Sequence, residues 1–140
     1  MKNKRNQILE CQSNTWNPIK GFEGLYNVNQ DGVVMSIPRN GTSKSVKYRS
    51  GTEMLSRGGK KYRAIILAKN GSQKRFLIHR LVAESFIPNP ENKPQVNHKD
   101  NNGLNNVLDN LEWVTPKENI QHAISSGSFD NYYKNHHWRK

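Results

Sequence analysis

Cysteine is almost missing from this chain. Cys11 is the only one in 140 residues, so no internal disulfide and no cysteine-based zinc site can form. Disulfide scaffolds, zinc ribbons and zinc fingers are excluded on that ground, and a reducing cytoplasm is the simplest setting. Long apolar runs are missing as well. Hydrophobic residues make up 33% of the chain, which limits the core and leaves no stretch that reads as a bilayer span. The opening Met1-Lys2-Asn3-Lys4-Arg5 is basic but leads into no apolar segment, so a signal peptide is not expected. Acidic residues are scarce too, with 11 Asp and Glu against 22 Lys and Arg.

What is present in their place is a concentrated positive charge. Between Arg39 and Arg80 lie twelve basic residues and a single acid, Glu53, so this segment accounts for the whole net charge of +11. A charge excess confined to one segment is the footprint of a polyanion binder. An anionic membrane surface fits less well, because the segment reads as strands and turns rather than an amphipathic helix. The expected contacts are Arg57, Lys60, Lys61, Arg63, Lys74 and Arg75, which cluster around one hairpin. Such residues set affinity and register along a phosphate backbone.

The pattern along the chain is β-rich first and helical last. Residues 1–14 are polar and expected to fray. Tyr26 to Asn29 and Val33 to Ile37 read as strands around a turn at Asp31-Gly32. Pro38 to Gly51 reads as a polar loop. Tyr62 to Ala68 and Gln73 to Ile78 flank Asn70-Gly71, a strong hairpin signal. From His79 to Phe86 the spacing turns helical, and Pro88 and Pro90 stop it. Val96 to His98 and Leu111 to Val114 read as short strands. Thr115-Pro116-Lys117-Glu118 is a capping box opening a helix to about Ser126, with Ile120 and Ile124 expected on its buried stripe. Trp16 and Trp113 are expected in the core. Asn101, Asn102, Asn105 and Asn106 read as turn formers, and His79 as a helix-start residue.

The order strand, loop, strand, helix between Val96 and Ala123 carries His98, Asn110, Asn119 and His122. Cutting a phosphodiester needs a base to deprotonate water and a counter-charge for the phosphate and leaving oxygen. An imidazole can be the base, and amide or carboxylate oxygens suit a hard divalent cation.

At these residues the chain resembles the HNH endonucleases, the ββα-metal class. The wording Val-Asn-His-Lys-Asp, then Asn-Leu-Glu-Trp-Val-Thr, then Glu-Asn-Ile-Gln-His-Ala is similar to the phage and intron-encoded homing branch. Upstream, Trp16-Asn17-Pro18-Ile19-Lys20-Gly21-Phe22-Glu23-Gly24-Leu25-Tyr26 resembles the NUMOD4-type module that often precedes such cores, and His79-Arg80-Leu81-Val82-Ala83 matches the segment leading into them. The resemblance covers roughly residues 16–125.

The resemblance implies an α+β protein with a ββα-metal core and an N-terminal β-rich DNA-binding region. Its expected divisions are 1–14 flexible, 15–55 NUMOD4-like, 56–94 basic hairpin plus helix, 95–127 HNH core and 128–140 a basic aromatic tail. It implies a monomeric, metal-dependent nickase of double-stranded DNA in a bacterial or phage-infected cell, with no membrane partner. Carried over, His98 is the general base, Asn119 and Asn97 are metal ligands, and Asn110 braces the loop. His122 is a further candidate ligand. The cation is Mg²⁺ first and Mn²⁺ second. Asn97 departs from the Asp found in several relatives, so apo metal binding is expected to be weak. That departure also feeds the alternative of a DNA-binding regulator or accessory protein with a decayed site. A further alternative is an RNA-binding or structural nucleic-acid protein.

Overall fold

The architecture is set by tight antiparallel turns feeding a single central helix. The computed structural model describes residues 15–39 and 45–127. The expectations for residues 1–14 and for the tail from 128 fall outside them. Strands β1 (Trp16–Pro18), β2 (Tyr26–Asn29), β3 (Val34–Ser36) and β4 (Lys47–Arg49) form one antiparallel sheet in that order. Strands β5 (Thr52–Leu55), β6 (Lys61–Lys69) and β7 (Ser72–Leu77) form a second. Strands β8 (Gln95–His98) and β9 (Leu111–Val114) pair separately. Helix α1 spans Ile78–Phe86 and helix α2 spans Pro116–Ser125.

Each turn has a residue-level cause. Asn29 is fully buried, and its Oδ1 accepts from the backbone N–H groups of Asp31 and Val33 at 3.0 and 2.9 Å. That amide bends the chain between β2 and β3, and Gly32 supplies the positive φ of 79°. Asn70 and Gly71 both hold positive φ, 51° and 77°, which gives the two-residue hairpin turn expected between β6 and β7. The polar stretch expected to be a loop contains a strand: Lys47–Arg49 is exposed yet pairs with β3. An edge strand that faces water on both sides has no apolar alternation to reveal it.

The core joins both larger sheets through α1. Ile19, Tyr26, Val28 and Val34 come from the first sheet and its entry loop, and Ile65 and Leu67 from β6. They close on Ile78, Leu81 and Val82 of α1 and on Leu111 of β9. Burying one such aliphatic side chain contributes about 1.5–3 kcal/mol, so α1 is anchored by three of them. Helix α1 contacts β8 and β9 as well, which fixes the small hairpin against the rest. Trp16 and Trp113 are half-buried rather than core residues: Trp113 donates Nε1–H to the Ile87 carbonyl at 3.0 Å, and Trp16 leans on Tyr48.

Helix α2 begins as its sequence dictates. Thr115 Oγ1 accepts from the Glu118 N–H at 3.2 Å, and Glu118 Oε2 accepts from the Thr115 N–H at 2.8 Å. Its packing differs from expectation. Ile120 and Ile124 are each 53% exposed, and no α2 residue is fully buried. The inward face is Asn119, His122 and Ala123. The helix packs on β8 and β9 beside a polar cleft, not on the apolar core, so its polar stripe turns inward. No helix among the described residues is long and apolar enough to cross a membrane.

Candidate functional site

A cleft of about 420 Å³ opens where β6 starts, α1 starts and the β8–α2 unit meets them. Lys60, Lys61, Tyr62, His79, Asn97, His98, Asn101 to Leu104 and Asn119 are among its lining residues. Three of the expected site residues, Asn97, His98 and Asn119, are therefore brought together from β8 and α2. They come with two of the expected basic contacts, Lys60 and Lys61. Asn110 and His122 do not line it.

Asn97 and His98 end β8, opposite Glu112 and Leu111 of β9. Both are 6% exposed. The Asn97 amide donates Nδ2–H to Glu112 Oε1 at 2.9 Å, and the Asn119 amide donates Nδ2–H to Gln95 Oε1 at 2.9 Å. Each amide thus commits its donor end to an acceptor and leaves Oδ1 as the end that can accept or ligate. The described residues hold no group of three or more His, Cys, Asp or Glu side chains suited to a metal ion. The protein's hard donors at the cleft are therefore neutral amide oxygens. They fit an oxygen-seeking divalent cation in kind but add no charge.

His98 sits in a nest of rings. Its centroid lies 4.7 Å from the edge-on His79 ring and 6.1 Å from Tyr62, and Tyr62 and His79 are 5.5 Å apart. On its other side, Nε2 lies 2.9 Å from Asn106 Oδ1. Burial pushes the His98 pKa down, and the bond to Asn106 and the charge of Asp100 recover only part of it. The ring is accordingly neutral at pH 7, the state a base requires. His79 is more extreme. Burial lowers its pKa to about 3, helped by His98 and Arg80, and its Nδ1 has no hydrogen-bond partner. Burial also raises the Tyr62 pKa, so the phenol stays neutral.

The loop between β8 and β9 is braced from within. Asn110 donates Nδ2–H to Asp100 Oδ1 and to the Asn105 carbonyl, both at 2.9 Å, and accepts from the Asp100 N–H at 3.1 Å. Asp100 Oδ1 also accepts from the Asn102 N–H at 2.8 Å, and its Oδ2 accepts from Asn105 Nδ2 at 2.8 Å. These bonds, from Asn105 first and then Asn102 and Asn110, hold the Asp100 carboxyl below its usual range. Asn101 takes φ of 61° and Asn102 Oδ1 accepts from the Leu104 N–H. Gly103 lies so close to Lys61 and Tyr62 that a Cβ there would overlap the Lys61 carbonyl. The loop is pinned by that approach to the start of β6, where Lys60 and Lys61 reach the cleft.

Asn106 is no turn former of this kind. It is 4% exposed and bonded to His98. Nothing in an Asn-rich run marks which amide turns inward, so sequence reasoning had no signal for it. His79 was legible as a helix-start residue but not as the wall of the site. His122 packs inward with Nε2 buried and unpartnered, away from the cleft-lining set.

The remaining basic contacts spread out. Arg57 is exposed in the β5–β6 turn. Arg63 lies 3.8 Å from Glu53, and Lys74 projects over the Phe76 ring. Arg75 lines a second hollow with Arg49, 26 residues earlier in the chain.

Residues 76–121 match the model of the HNH endonuclease family. DNA endonuclease I-HmuI of Bacillus phage SP01 is 39% identical over 115 residues, covering 82% of this chain and 60% of that protein. An HNH endonuclease of Acanthamoeba polyphaga mimivirus is 45% identical over 86 residues, covering 61% of this chain and 26% of its own. A solved structure of DNA binding and cleavage by the HNH homing endonuclease I-HmuI superposes with a TM-score of 0.66 and 40% identity, over 81% of this chain and 60% of that one. The chain thus spans 60% of the phage relative's length.

Proposed function

Because the chain belongs to the HNH endonuclease family, we propose that it is a divalent-metal-dependent endonuclease that nicks double-stranded DNA. The observation that carries this reading is the convergence of a buried neutral imidazole, two amide oxygens and two lysines on one cleft. Lys60 and Lys61 draw a phosphate toward the cleft by charge. His98 accepts the proton of the attacking water, since its lowered pKa keeps its lone pair free at neutral pH. Asn97 and Asn119 would hold the cation, Mg²⁺ first, through Oδ1. When bound, it supplies positive charge to the scissile phosphate and the leaving oxygen.

Asn110 acts on the loop rather than on substrate. Through Asp100 and Asn105 it holds the segment that follows His98, so its role is to keep His98 in place. His122 is the weakest of the ligand candidates, because it does not line the cleft. Arg57, Lys60 and Lys61 form the near end of the DNA track, and Arg63, Lys74 and Arg75 a farther end. The described residues hold one such site, and a monomer then cuts one strand per encounter.

His98→Ala and Asn119→Ala test the assignment together. Both variants are expected to retain duplex binding in a mobility-shift assay and to lose cleavage by about 100-fold or more, the lower range of a general base's contribution. Cleavage by His98→Ala at the wild-type rate would remove His98 from the chemistry.

A further inference from the structure

Asn106 is one of five buried polar or charged side chains of the described residues, and one whose two amide ends are unequally served. Its Oδ1 lies 2.9 Å from His98 Nε2, while its Nδ2 is buried with no partner. Leaving a buried amide donor unpaired costs about 1–3 kcal/mol. The site keeps the residue despite that cost, which puts the value on its acceptor end.

A neutral imidazole has one N–H donor and one lone pair. An acceptor facing Nε2 therefore selects the Nε2–H form and leaves the lone pair on Nδ1. We infer that Asn106 is a positioning residue that fixes His98 in the Nε2–H tautomer, so that Nδ1 is the atom that takes the proton from water. The inference deepens the nuclease reading and rests on it only for what Nδ1 then does.

Two further observations carry it. The ring cannot readily turn over to exchange its nitrogens, because His79 packs on it at 4.7 Å and Tyr62 at 6.1 Å. The amide is also held from behind, independently of His98. A Cβ built on Gly32 would come 3.1 Å from Asn106 Cβ and 3.0 Å from Ile78 Cγ2, and Gly32 sits at φ of 79°. Two residues beyond Asn106, the Leu108 N–H donates to the Gln30 carbonyl at 2.8 Å. The β2–β3 turn, shaped by the buried Asn29 amide, thus backs Asn106, and Asn106 backs His98. The first sheet supports the cleft without lining it.

The test uses the full chain, free of DNA and metal, with ¹⁵N-labelled histidine. In wild type the His98 ring is expected to show a single Nε2–H tautomer with a slowly exchanging ring proton. Asn106→Leu keeps the shape and removes the acceptor; the ring should become a tautomer mixture with fast proton exchange. Asn106→Asp keeps the acceptor, exchanges Nδ2 for a second oxygen and adds a charge that favours the imidazolium; at a pH where the ring is neutral it should retain the Nε2–H form. In cleavage assays Asn106→Leu is expected to lose kcat by about 10- to 100-fold, within the contribution of a positioned base, at unchanged KM. A wild-type His98 in the Nδ1–H form would overturn the inference. So would an Asn106→Leu protein that folds normally and keeps the wild-type tautomer, proton exchange or kcat. Absence of cleavage by wild type would overturn the nuclease reading instead, and the spectrum would still decide the tautomer.

Discussion

His79 shows at the scale of one residue how burial keeps the rings of the cleft neutral at pH 7. It is 6% exposed, its pKa is lowered to about 3 chiefly by burial, and it stands edge-on to His98. The consequence for stability has a definite sign. Below pH 6.5 the unfolded chain binds a proton at this residue and the folded chain does not. Stability is therefore present above 6.5 and is lost as pH falls toward 3. Between pH 7 and pH 5 His79 alone should remove roughly 2 kcal/mol from the unfolding free energy. His98 adds to the loss, since its pKa is lowered as well. Urea unfolding at the two pH values checks this, with His79→Phe expected to show a clearly smaller drop than wild type. An equal drop in both would mean that His79 is not buried neutral. The sequence showed where both imidazoles lie along the chain but could not show that they face each other. They are 19 residues apart, and only the packing of α1 against β8 brings the rings together.

Element-scale features divide by the kind of signal they carry. The β6–β7 hairpin was legible because Asn70-Gly71 states its turn chemistry outright. Helix α2 was legible because its cap is written into Thr115, Pro116 and Glu118. Strand β4 was not, since all three of its residues face water and leave no apolar pattern. The face of α2 was misread for a related reason. Apolar periodicity assumes that a helix packs on an apolar core, and α2 packs beside a polar cleft, leaving Ile120 and Ile124 outside. The cap carries the burden of holding a helix with no fully buried residue. Thr115→Ala removes its side-chain acceptor and should destabilise the protein by about 1 kcal/mol. Asn119 lies on the first turns, so the same variant should weaken cleavage at limiting Mg²⁺ more than at saturating Mg²⁺. A denaturation midpoint unchanged by Thr115→Ala would show that α2 is held by something other than its cap.

The whole molecule joins a charged track to a cleft whose lining holds Lys60 and Lys61 and otherwise only neutral side chains. The sequence made the track visible, because all of the net positive charge lies between Arg39 and Arg80. It also supplied the cleft residues Asn97, His98 and Asn119, and Asn110, which braces the loop beside them. The supports were beyond its reach, because Asn106, Gly32 and Gly103 act through approaches between distant segments. If the track binds phosphates, the logarithm of the affinity for duplex DNA should fall linearly with the logarithm of salt concentration. Lys60→Ala should then reduce the magnitude of that slope by about 0.9 if Lys60 neutralises one phosphate. An affinity insensitive to salt would contradict the role given to the basic segment.

The most direct measurement for the central claim is conversion of supercoiled plasmid carrying a cleavable site, with Mg²⁺, with EDTA, and with His98→Ala run beside the wild type. Wild type should give the open-circular form with Mg²⁺ and no product with EDTA, and His98→Ala should give none in either. Cutting that persists in EDTA, or that His98→Ala carries out as fast as wild type, would contradict the account.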